Sequence, residues 1–238
     1  MRAAVAAALA LWAPAPGMTW QWQLSGRLDL AVPAQVYDVD LFDTPTSAVT
    51  ALHARGARVV CYLDAGTLEP DRPDARRFPR ATIGARVAGW PRERWLDVRS
   101  RALRPLLERR LDRCAGKGFD AVEADNVDGY ANRTGFPLSS ADQLRFNRFL
   151  AAAAHARGLS IALKNDLAQA AALEPRFDWA LVEECVRYRE CARTAPFVRA
   201  GKAVLAVEYG RACPARARAG LTVMLKRRAL DAWRAPCW

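Results

Sequence analysis

The chain has 238 residues, 52% of them hydrophobic, which is enough for a sizeable core inside a single domain and makes a second domain unnecessary. Its net charge of +11 comes from 36 Lys and Arg against 25 Asp and Glu. That excess invites a nucleic-acid partner, yet the basic residues are scattered through presumed helices, as at Arg101, Arg104, Arg109, Arg110 and Arg113, and no basic run interleaved with aromatics occurs; nucleic acid is excluded on that pattern.

In chain order, Met1-Arg2, an apolar stretch from Ala3 to Ala13 and then Pro14-Ala15-Pro16-Gly17 have the charge, apolar core and small residues of an export signal, expected over residues 1–17. A disordered alanine-rich leader is the alternative. The stretch is too short to span a bilayer, and no stable membrane insertion is expected. Six cysteines, an even number, join that leader in favouring disulfides in an oxidising, secreted or periplasmic location, with the pairing left open. Cys185 and Cys191 lack a CxxC spacing or a nearby His, which argues against zinc.

From residue 18 onward a repeated grammar sets the architecture. His53-Ala54-Arg55-Gly56 precedes the apolar run 57–62, and His155-Ala156-Arg157-Gly158 precedes 159–163. Gly118, Gly201 and Gly220 likewise precede 119–122, 203–207 and 221–225, glycine being suited to the left-handed position that stops a helix. With 19–24, 34–41 and 178–182 there are eight strand candidates, alternating mostly with amphipathic helices such as 99–117 and 139–157. The pattern predicts a single α/β domain over 18–238, a (β/α)8 TIM barrel, irregular after its first strand because 25–33 is short for a helix. A doubly wound open sheet is the runner-up, and no Gly-rich phosphate loop supports it.

In such a barrel chemistry sits where strands end. The acids concentrate there: Asp38, Asp40, Asp43, Asp64, Glu69, Glu123, Asp125, Asp128, Asp166, Glu183, Glu184 and Glu208. They predict an anionic cleft inside a cationic shell. Paired carboxylates suit glycoside hydrolysis, and Trp20, Trp22, Trp90, Trp95, Tyr130, Tyr188 and Tyr209 are available to stack on sugars or fill the core. The two histidines, His53 and His155, lie at helix ends and read as structural, which removes a Ser-His-Asp triad. No cofactor or metal is expected; an all-oxygen Ca²⁺ or Mg²⁺ site is the alternative use of the acids. Glu183 and Glu184 are neighbours on a strand and point oppositely, so only one enters the barrel, and spacing leaves open which.

Taken together, Trp20-Gln21-Trp22-Gln23-Leu24, Tyr37-Asp38-Val39-Asp40, Cys61-Tyr62-Leu63-Asp64-Ala65-Gly66, Trp95-Leu96-Asp97-Val98-Arg99, Glu123-Ala124-Asp125-Asn126-Val127-Asp128-Gly129-Tyr130, Leu163-Lys164-Asn165-Asp166 and Glu183-Glu184-Cys185 resemble glycoside hydrolase family 114, a family of barrel enzymes described as endo-α-1,4-polygalactosaminidases. The resemblance covers nearly the whole chain after residue 18. It implies Asp125 and Glu183 as catalytic carboxylates, assigned here as nucleophile and general acid/base, with retention of configuration. Expected substrate contacts are Asp38, Asp40, Asp64, Glu69, Trp90, Asn126, Asp128, Tyr130, Lys164, Asn165, Asp166, Tyr188 and Glu208. The implied substrate is a galactosamine polysaccharide, whose free amines an anionic cleft attracts, acted on by a secreted monomer. A non-catalytic sugar-binding barrel, a hydrolase of another α-linked glycan and a basic envelope scaffold are the alternatives. The chain departs from the family pattern at Ala124, Asp64 and Glu184, where Pro, Ser and Gln are common.

Overall fold

A computed structural model describes residues 11–214 and 220–237. In chain order the elements are β1 (Trp20–Gln23), β2 (Val36–Asp40), α1 (Thr46–Ala54), β3 (Arg58–Asp64), β4 (Thr67–Leu68), β5 (Ile83–Val87), β6 (Trp90–Leu96), α2 (Arg104–Gly116), β7 (Ala121–Asp125), α3 (Ser140–His155), β8 (Ser160–Lys164), α4 (Ala170–Leu173), β9 (Trp179–Glu183), α5 (Ala195–Arg199), β10 (Val204–Glu208), β11 (Thr222–Lys226) and β12 (Arg234–Pro236). The order β1-β2-β3-β7-β8-β9-β10-β11 runs parallel, and β12 adds antiparallel to β11. All eight expected strands, five from glycine-punctuated runs and three from apolar runs alone, are present, and the sheet curls into the expected barrel. Its helical ring is incomplete: no helix follows β1, and β12 replaces one after β11.

Strand alternation separates two cores. Val59, Cys61, Val122, Ala124, Ile161, Leu163, Ala180 and Val182 face outward, where helices cover them with Leu107, Leu111, Phe146 and Leu150. Inward, Trp20, Trp22 and Trp179 fill the barrel with Val60, Leu181, Leu205 and Met224, while the small Ala121, Ala162 and Ala203 leave room for the indoles.

Between β3 and α2 the chain inserts something the strand-glycine grammar does not foresee, a second sheet of order β4-β6-β5. It leans over one side of the barrel mouth. At the opposite seam, no ladder joins β1 to β11 among the described residues. The segment after β11 fills the gap instead: Leu24 N and Ser25 N donate to Leu230 O at 2.9 and 3.2 Å, Gln21 Nε2 donates to Ala232 O at 2.8 Å, and Lys226 Nζ donates to Asp231 O at 2.6 Å.

The sequence repeat has a structural counterpart at the foot of the barrel. His53 Nε2 lies 2.7 Å from Asp120 Oδ2, which also accepts from Val59 N; His155 Nε2 lies 2.8 Å from Asp178 Oδ2, which accepts from Ile161 N. Each histidine thus ties the end of a helix to the start of a neighbouring strand.

The cysteines pair as Cys61–Cys114, Cys185–Cys191 and Cys213–Cys237. The first staples β3 to α2, and the second closes the loop directly behind Glu183. Of the expected export segment, Met1–Ala10 lies outside the described residues, whereas Trp12 and Ala13 pack against the inner core and Gly17 N donates to Thr222 Oγ1 at 3.1 Å.

Candidate active site

Parallel register brings the strand ends to one mouth: Asp64 lies opposite Asp125, Lys164 opposite Leu181, and Glu183 opposite Val207. Inward residues two positions beyond the inner core, namely Tyr62, Asp125, Glu183 and Tyr209, therefore line a cavity of about 280 Å³ with Trp22, Trp90, Glu69, Arg72 and Glu93.

Lys164 organises its floor. Fully buried, its ammonium lies 2.6 Å from Glu123 Oε1 and 3.2 Å from both Asp125 Oδ1 and Glu183 Oε1. Burial alone would lower its pKa, but the charges of Asp125, Glu123 and Glu183 outweigh that and raise it well above the ordinary value. Asp125 also accepts from Tyr62 OH at 2.9 Å and from Asn126 N at 2.8 Å. Glu183 accepts from Tyr209 OH, and its own N–H donates to Asn165 Oδ1 at 3.0 Å. Burial, then the neighbouring carboxylates, push both tyrosines up, so both stay protonated donors.

The question left open between Glu183 and Glu184 has a geometric answer. Glu183 lines the cavity, whereas Glu184 turns to Arg187 Nη1 at 2.5 Å and Arg228 Nη2 at 3.1 Å. The turn is made at once, because Glu184 has φ +53; Asn126 and Asn165, just past β7 and β8, have φ +59 and +51. Three consecutive barrel strands thus end in left-handed non-glycine residues, each costing on the order of 1–2 kcal/mol, a strain typical of functional sites. Gly66 supports the same rim. A Cβ there would stand 1.7 Å from Asn126 O, and its absence lets Ala65 N and Gly66 N both donate to Asp125 O at 3.1 Å.

The other expected substrate contacts divide by position. Glu69, Trp90, Asn126 and Asn165 line the cavity. Asp40 and Asp64 are buried beside it: Asp40 pairs with Arg72 at 2.5 Å, and Asp64 accepts from Thr67 N at 2.7 Å and Asn126 Nδ2 at 2.8 Å. Asp128, Tyr130 and Asp166 form a neighbouring cluster outside the lining, in which Tyr130 OH donates to Asp166 Oδ1 at 3.1 Å and Asn147 Nδ2 to Asp166 Oδ2 at 2.9 Å. Burial raises Asp166 to about 7. Tyr188 stands exposed with the Arg187 guanidinium over its ring at 5.4 Å.

Two acids expected at the cleft face elsewhere. Asp38 lies within β2, one pleat below the rim, and is wholly buried beneath the floor. Neither oxygen has a hydrogen-bond partner, and burial, then the Glu123 charge, raise Asp38 well above the usual carboxylate range, which favours its protonated form. Glu208 shares the outward side of β10 with Val204 and Ala206 and accepts from Val186 N at 2.8 Å.

Residue patterning overlooked Tyr62, Arg72, Glu93 and Arg228. Tyr62 was within reach, being two positions past inward-facing Val60. Arg72 and Glu93 belong to the inserted sheet and its approach, and Arg228 to the seam segment, so no strand-end rule reaches them.

The comparisons agree with this geometry. The profile of glycoside-hydrolase family GH114 matches residues 1–238. No curated protein matches the chain. Among solved structures, Ega3 of Aspergillus fumigatus in complex with galactosamine is similar at TM-score 0.92 and 35% identity, covering 97% of this chain and 99% of that one. The glycoside hydrolase domain of PelA from Pseudomonas aeruginosa shares the fold at TM-score 0.69 and 16% identity, over 92% of this chain and 98% of that one. The chain belongs to glycoside-hydrolase family GH114, and it is a glycosidase.

Proposed function

We propose that the protein cleaves α-1,4-linked galactosamine polymers with retention of configuration, Asp125 acting as nucleophile and Glu183 as general acid/base. The observation that carries this reading is the ammonium of Lys164 set 3.2 Å from each carboxylate. The lysine-facing oxygens, Asp125 Oδ1 and Glu183 Oε1, are then at most twice that distance apart, which is compatible with the roughly 5–5.5 Å of a retaining pair. Each carboxylate has its own tyrosine donor, Tyr62 OH on Asp125 and Tyr209 OH on Glu183, and Lys164 is common to both. The nucleophile role is assigned to Asp125, which has one donor more, the backbone N–H of Asn126.

In the first step an Asp125 oxygen attacks the anomeric carbon as the glycosidic C–O bond breaks and Glu183 delivers a proton to the departing oxygen. In the second, Glu183 takes a proton from water, whose oxygen displaces Asp125 from the same carbon. Tyr209 OH and Lys164 hold Glu183 in place through both. The substrate class rests on four carboxylates, Glu69, Glu93, Asp125 and Glu183, lining one cavity, and on the galactosamine bound to the Ega3 relative.

On de-N-acetylated α-1,4-galactosaminan the parent is expected to release reducing ends, and Asp125→Asn and Glu183→Gln to fold normally with activity at least about 10³-fold lower. A polymer left intact by the parent, or cleaved equally by Asp125→Asn, would refute the assignment. The three disulfides support a secreted or periplasmic location. Because Trp12 packs against the inner core, the export cut is proposed to precede it; N-terminal sequencing of exported protein that began after Trp12 would contradict this.

A further inference from the structure

The inserted sheet carries a group that the two-carboxylate mechanism does not use. Glu93, on β6, lines the cavity together with Trp90 of the same strand. Every other carboxylate of that lining has a cation: Asp125 and Glu183 share Lys164, and Glu69 holds Arg72 at 2.7 Å. Glu93 has none. Among the described residues no Lys, Arg or His nitrogen lies within 4.0 Å of it, and its single side-chain donor is Thr67 Oγ1, at 3.2 Å from Oε2. Arg72 is already committed to Asp40, Asp43 and Glu69. Burial and the Glu69 charge accordingly raise Glu93 to about 7, as expected of a half-buried acid missing its counter-ion.

The surrounding space fits a ligand rather than a missing side chain. Glu69, Arg72, Trp90 and Glu93 line both the main cavity and an adjoining hollow of about 370 Å³, so the cleft continues along the insert beyond the two catalytic carboxylates. At this junction the Trp90 indole is 56% exposed, an apolar face beside an unpaired anion. A sugar ring lying on an indole with an ammonium at its edge satisfies both groups.

We propose that Glu93 receives the protonated amine of a hexosamine unit remote from the bond being cleaved, with Trp90 supporting its ring, and so makes the insert the element that selects free-amine over N-acetylated polymer. This rests on the galactosaminidase reading, which assigns the cleaved bond, but concerns a separate contact. An acetamido group brings no charge to Glu93 and more bulk, so the preference requires the ion pair.

The test is Glu93→Gln in the full chain, which keeps size and hydrogen bonding but removes the charge. Reducing-end assays on de-N-acetylated and fully acetylated α-1,4-galactosaminan give the ratio of kcat/KM values, expected to fall about tenfold from loss of one charge-assisted contact. In parallel, calorimetry measures galactosamine and N-acetylgalactosamine oligosaccharides binding to Asp125→Asn with and without Glu93→Gln, where the same selective loss is expected. A ratio within twofold of the parent, together with equal weakening for both sugars, overturns the role of Glu93 and leaves the hydrolase intact. No turnover by the parent, with Glu93-dependent binding of the free-amine sugar, sinks the hydrolase reading and keeps the inference.

Discussion

Replacing Lys164 by Met tests the energetics of the cavity floor. The substitution keeps an unbranched chain of similar length but leaves Glu123, with 0% side-chain exposure, facing Asp125 and Glu183 without a cation. Its remaining side-chain donor is Trp22 Nε1, at 2.9 Å. Removing one partner of a buried ion pair costs about 3–5 kcal/mol, chiefly because the stranded charge stays desolvated. For a chain of this size each kcal/mol moves Tm by about 2–4 °C, so thermal unfolding should fall by roughly 6–20 °C. Adding Glu123→Gln to Lys164→Met removes the stranded charge and should recover at least about half of the loss. The pair of variants separates charge from packing, because both lack the lysine. A Lys164→Met protein within about 1 kcal/mol of the parent, or a double variant no more stable than the single, would refute a floor built on ion pairing.

Two other predictions follow from the same region. In Asp38→Asn the amide replaces the carboxyl and its proton. The native state of the parent keeps that proton above the ordinary Asp value of about 3.9, so its stability declines as pH rises from there through the raised native pKa. The variant should lose that part of the slope and gain on the parent between pH 5 and 8 in urea titrations; a difference constant with pH would exclude a protonated Asp38. For Gly66→Ala, the collision with Asn126 O forces the Asp125 backbone to shift, and kcat/KM should drop about 100-fold, more than any change in KM explains. Activity near that of the parent would mean the rim tolerates the displacement.

The barrel was legible because five of its eight strands announce themselves twice, by an apolar run and by the glycine before it, and the other three by the run alone. The catalytic mouth was legible where an acid ends such a run, as at Asp125. Asp38 misled for a physical reason: a buried acid that favours its protonated form looks, in sequence, the same as an acid facing water. Glu208 misled through parity, since one residue along β10 exchanges the barrel lumen for its outer face. The insert escaped notice because Trp90–Leu96 precedes a helix and carries Pro91, Arg92, Glu93 and Arg94, which read as loop. Cysteine pairing also depended on tertiary proximity, with Cys61 and Cys114 separated by 53 positions.

The seam between β1 and β11 couples closure of the barrel to completion of the cleft. Arg228, Ala229 and Leu230 wall the cavity, and the same short segment completes the barrel between its first and eighth strands. A chain with most of its sheet assembled but this segment undocked would have a cleft open on one side. Until the segment 228–230 is threaded into the seam, the cleft that holds Asp125 and Glu183 lacks that wall.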